Sequence, residues 1–82
     1  MAGRIPNFDT EVTESNRDQI ETASENMRDA ALKLFEAARN LDLVDSKRSH
    51  QAWKDASRIN KLAFRMQAKV DRYDEWTARV EA

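Results

Sequence analysis

From Ile20 onward, apolar residues recur at Ile20, Ala23, Met27, Ala30, Leu34, Ala37 and Leu41, with Val44 next in phase. The intervals alternate three and four without a slip, the heptad spacing of a helix that packs along one seam. With Ile20 as position a, the a sites Ile20, Met27, Leu34 and Leu41 carry bulk, and the d sites Ala23, Ala30 and Ala37 carry alanine. A second run, Ala52, Ala56, Ile59, Ala63, Met66, Val70, Tyr73, Thr77 and Val80, alternates four and three in the same way. Here d holds Ala52, Ile59, Met66, Tyr73 and Val80, and a holds Ala56, Ala63, Val70 and Thr77. Each run predicts one long helix.

The polar stretch Asp42-Leu-Val-Asp-Ser-Lys-Arg48 separates them. Asp45 or Ser46 can cap the second helix by accepting an orphaned backbone N–H. Asn40 is the candidate left-handed C-cap of the first. The pattern places helix 1 at about 9–41, the loop at about 42–46 and helix 2 at about 47–81. Phe8 staples the start of helix 1 at Asp9 or Thr10, and residues 1–8 form a flexible N-terminal segment ahead of a single domain, 9–82. A connection this short makes the helices antiparallel neighbours. The expected fold class is all-α, an antiparallel two-helix hairpin with an alanine-rich coiled-coil seam.

In such a pair a packs against d, and folding about the loop sets Leu34 against Ile59, Met27 against Met66 and Ile20 against Tyr73. Ala37 then faces Ala56, and Ala30 faces Ala63. A register one heptad away also pairs small with small. Toward the open end, Asn16 shares a layer with Thr77 and Thr13 with Val80, so helix 1 is expected to fray before about Asp18.

Not every apolar residue fits the seam. Ala31 and Ala38 fall at e, Phe35 at b and Leu32 at f of helix 1, and Trp53 at e and Phe64 at b of helix 2. In an antiparallel hairpin the e sides lie on one flank, so these six predict a dimer or partner interface. Leu62 and Trp76, both at g, predict a second apolar flank opposite. Burying a large aromatic is worth roughly 2–3 kcal/mol, and a two-helix hairpin has little interior of its own. With no Cys and one His among 82 residues, disulfides and a structural zinc site give no support. A homodimer, completing a four-helix bundle, supplies it instead.

The net charge of −1 hides a separation. Residues 9–45 carry ten acidic and four basic side chains, whereas residues 47–72 carry eight basic and two acidic. Glu11, Glu14, Asp18, Glu21, Glu25 and Asp29 form an acidic ridge on helix 1. Lys47, Lys54, Arg58, Lys61, Arg65 and Arg72 form a basic ridge on helix 2. The two ridges favour antiparallel pairing, and the basic one could also reach phosphates.

Candidate chemistry is sparse. His50 stands in the first turn of helix 2, where the helix dipole opposes a charged imidazole. Glu11/Glu14 and Glu21/Glu25 are spaced to meet on a helix face, but no histidines accompany them as in a di-metal bundle. There is no glycine loop for a phosphate. No catalytic, cofactor or metal site is expected, no small-molecule substrate, and no enzyme. The start of the chain lacks the apolar core of a secretory signal, and no apolar run is long enough to span a bilayer. The expectation is therefore a soluble cytoplasmic protein without membrane contact. Its expected role is a protein-interaction module: a small homodimer that binds and regulates a larger protein as an inhibitor, adaptor or chaperone does. The alternative is a nucleic-acid-binding or nucleoid- or transcription-associated protein using the basic ridge.

Overall fold

The structure, a computed structural model, describes residues 7–81. Two α-helices, α1 (Arg17–Leu41) and α2 (Ser46–Glu81), pack side by side as an antiparallel hairpin measuring 56 × 24 × 17 Å. The long dimension is that of α2, since 36 residues at about 1.5 Å each give about 54 Å. The thickness is that of a single layer of helices.

The loop forms where cap chemistry requires it. The Asp45 carboxylate accepts the Arg48 N–H at 3.1 Å and caps α2. Asn40 lies within α1 and is not its C-cap. Asp42 takes that place in an ordinary right-handed conformation, its N–H bonded to the Arg39 carbonyl. Leu41 O accepts the N–H groups of Val44 and Asp45. The Ala38 carbonyl, among the last of the helix, receives the Ser49 hydroxyl at 2.6 Å. That bond satisfies an orphaned carbonyl and clasps the two helices at the loop end.

The seam of α2 follows its heptads: Ala56, Ala63, Met66 and Val70 are buried, joined by Ser49 one heptad earlier. The seam of α1 does not. Its buried residues are Ile20, Ser24, Ala31 and Ala38, while Ala30 and Ala37 are exposed. The helix is turned so that the e column, rather than d, faces α2. Ala31 and Ala38, expected on the outer flank, are therefore buried in the intramolecular seam. Sequence periodicity cannot separate the two columns, because alanine stands in both and they adjoin the same bulky a column. What distinguishes the e column is Ser24. It is as small as alanine, and when buried it shares its hydroxyl proton between Glu21 O (2.7 Å) and Gln67 Oε1 (2.9 Å).

Three polar contacts fix the register. Ser49 reaches Ala38, Ser24 reaches Gln67 and Arg17 reaches Asp74. The expected pairing would have set Lys69 opposite Ser24 and Trp76 opposite Arg17. The observed register falls between that pairing and the one a heptad away. Small residues then line the closest approach from both sides, Ser24, Ala31 and Ala38 against Ser49, Ala56 and Ala63. This permits an axial separation at or below the usual 8–10 Å.

Helix α1 begins at Arg17 rather than near Asp9, close to where polar layers predict fraying. Residues 7–16 form a strap instead. Turn chemistry wins here: Thr13 N–H donates to Asn16 Oδ1 (2.7 Å), Asn16 Nδ2 to Glu11 O (3.0 Å), and Arg17 N–H to Thr13 O (2.9 Å). Phe8 and Val12 pack against the cluster of Ile20, Met66 and Val70. The Arg65 guanidinium donates to Asn7 Oδ1 and the Lys69 ammonium to Thr10 O, with the ammonium 5.5 Å from the centre of the Phe8 ring. Of the segment expected to be flexible, residues 1–6 lie outside the described residues, and Asn7 and Phe8 are held on α2.

If the e column is the seam, Ala31→Leu overpacks it and should cost about 1–3 kcal/mol. Ala30→Leu, on the exposed column, should change stability by no more than about 0.5 kcal/mol. Urea unfolding followed by circular dichroism distinguishes them, and equal losses would contradict the assigned face.

Candidate interaction surfaces

The small seam leaves bulky side chains at its edges. Phe35 from α1 and Trp53 from α2 meet across the hairpin edge to face, their centroids 4.6 Å apart and their planes at 66°. Phe35 is half-buried by this contact, yet Trp53 keeps 51% of its surface in solvent. Leu32 is 56% and Phe64 74% exposed. Four of the six residues expected at the interface thus remain on the surface, with Phe35 and Trp53 brought together; Ala31 and Ala38 belong to the seam. Beside Trp53 an open groove runs to the loop end, lined by Ala38, Arg39, Asp42, Ser46, Ser49 and His50. His50 is exposed there.

The second expected flank divides. Leu62 packs against the core cluster, whereas Trp76 is 58% exposed and lies 6.3 Å from Tyr73, tilted at 40°. Their rings share a shallow groove with Val12, Glu11, Lys69 and Arg72 at the open end. A third apolar feature was missed by the sequence reading. Leu43 and Val44 at the tip of the hairpin are almost wholly exposed. Heptad phase assigned Val44 to the seam, but the turn after Leu41 carries it out.

Neither charged ridge is continuous. Lys47, Lys54, Lys61 and Arg72 are exposed, but Arg58 pairs with Asp55 at 2.8 Å and Arg65 holds Asn7. On the acidic side Glu11, Glu14, Asp18, Glu25 and Asp29 are exposed, and Glu21 is half-buried beside Arg17 at 2.8 Å. Arg17 sits at the centre of three acids. It grips Asp74 of α2 with two nitrogens and also contacts Asp18 and Glu21. Its hydrogen bonds, to Asp74 first and then Asp18, strengthen its hold on the proton. The Arg17 bond in turn holds the Asp74 carboxyl below the ordinary carboxylate range. The pair closes the open end of the hairpin as Ser49 and Ala38 close the loop end.

Among the described residues no three of His, Cys, Asp and Glu gather as metal ligands, and no helix is long and apolar enough to cross a membrane. Among them, too, no buried side-chain polar atom lacks a hydrogen-bond partner. The polar groups within the seam are thus fully engaged in holding the helices together. The surface features left unaccounted for by folding are apolar and charged. Compared with known proteins, the chain matches no family model, no curated protein and no solved structure.

Because the folded Asp74 pKa is depressed, the stability it contributes is fully present above the unfolded value, about 4. That contribution is lost as pH falls through the lower folded value. The Arg17 Nε–H resonance should therefore be protected from exchange at neutral pH, and its chemical shift should move toward that of a free guanidinium on acidification below about pH 4. In Asp74→Asn the protection should be much weaker even at neutral pH. A protected signal persisting in that variant would contradict the role given to the pair.

Proposed function

We propose that this chain is a non-enzymatic protein-interaction module, a small helical hairpin that forms a homodimer and regulates a larger protein in the manner of an inhibitor, adaptor or chaperone. One observation carries the reading. Among the described residues the hairpin buries only Ile20, Met66 and Val70 as large apolar side chains, while Leu32, Trp53 and Phe64 stay largely in solvent along one flank. Covering each of these is worth roughly 1.5–3 kcal/mol, a large share of the stability available to a domain of this size. A cluster of exposed large apolar side chains on one flank is the mark of an interface. A second copy applied to the Leu32, Phe35, Trp53 and Phe64 face completes a four-helix bundle. Trp76 and Tyr73 on the other side remain for the larger target. The basic ridge supports nucleic-acid binding less well, since Arg58 and Arg65 are occupied within the chain.

Sedimentation velocity tests the dimer face. Trp53→Glu and Phe64→Glu should convert a dimer to a monomer and lower its melting temperature. Leu43→Glu, at the hairpin tip, should leave the mass unchanged. An unchanged mass in both flank variants would reject this face.

A further inference from the structure

The reading above leaves open how the second copy is oriented, and the charges bear on this. By the register that Ser24–Gln67 and Arg17–Asp74 set, Asp42, Glu36 and Asp29 lie within two residues of the levels of Lys47, Lys54 and Lys61. All six are exposed, and none has an ion-pair partner within the described hairpin. At each level an acid on α1 is matched by a lysine on α2, but both point away from the seam and cannot meet within one chain.

Two hairpins stacked flank to flank have two two-fold solutions. With the axis along the helices, the loops lie at the same end and α1 of each copy faces α2 of the other. With the axis across the helices, the loops lie at opposite ends, and each helix faces its own copy. The first solution brings each unpaired acid toward a lysine at its own height, and gathers both Phe35–Trp53 pairs at one level around the axis. The second sets α2, with eight basic and two acidic residues over 47–72, beside its own copy, a like-charge arrangement that opposes association.

We infer that the face is covered by a second copy in the parallel orientation, with both loops at one end and α1 of each copy against α2 of the other. This inference rests on the dimer proposed above and assigns its geometry. The exposed tip makes it measurable, because the chain has no native cysteine and Leu43 is 98% exposed. A nitroxide on Leu43→Cys in the full chain gives the tip-to-tip distance by pulsed electron spin resonance. Parallel docking predicts a separation of about two helix diameters, roughly 20–25 Å. A distance of about 40 Å or more, as loops at opposite ends of the shared face require, would overturn the orientation while leaving the dimer standing. The monomer mass with no dipolar signal would overturn both. Salt gives an independent reading: screening should loosen a parallel dimer several-fold and tighten an antiparallel one.

Discussion

The close approach of two small-residue columns is the constraint on which the molecule depends. Ser24, Ala31 and Ala38 on α1 meet Ser49, Ala56 and Ala63 on α2, and nothing larger fits at those levels. Such a seam gains contact from backbone proximity and little from side-chain burial. Its specificity comes from polar pins instead: Ser49 on the Ala38 carbonyl, Ser24 on Gln67 and Arg17 on Asp74. Each joins groups whose separation would leave a desolvated donor or acceptor, so each penalises a slipped register more than it rewards the correct one. The cost of the small seam appears outside it. Bulky residues that would fill an ordinary hairpin core are pushed to its edges, where Phe35 and Trp53 shield one another in part and Phe64 and Leu32 remain exposed.

Much of this fold is legible in the chain. Two heptad runs give two helices, the polar interval gives the turn, Asp45 gives the cap, and the α2 seam follows its own pattern. The face of α1 is not recovered. Hydropathy treats Ser24 as polar and ranks Ala23, Ala30 and Ala37 level with Ala31 and Ala38. Residue volume does not distinguish them either, since Ala23-Ala30-Ala37 and Ser24-Ala31-Ala38 are both columns of small residues at seven-residue spacing. What singles out the buried column is the bond from its Ser24 hydroxyl to Gln67, a contact that periodicity does not encode.

Residues 7–16 depart from the pattern in a related way. Phe8 and Val12 are spaced to share a helix face, and a staple to α1 was expected from Phe8. The hydroxyl and amide groups of Thr13, Ser15 and Asn16 compete with helical hydrogen bonds and form a turn, so the strap lies along α2 with Phe8 and Val12 on the core cluster. The candidate surfaces are legible to the same partial degree. The aromatic flank was visible in heptad phase, and its residues do stand together. Its two alanines were needed for the seam, the basic ridge is interrupted by local ion pairs, and the Leu43–Val44 tip depends on a turn geometry that periodicity does not encode.

On the dimer proposed above, a small seam that leaves large apolar residues uncovered makes the hairpin half of a larger core. Its folding should then be coupled to association, and stability inseparable from chain concentration. The direct measurement is helical circular dichroism of the unmodified chain over a wide dilution series, with the mass followed in parallel by sedimentation equilibrium. The account predicts twice the chain mass at high concentration, and a loss of helix that coincides with dissociation on dilution. A fully helical chain at the monomer mass throughout the series would contradict it.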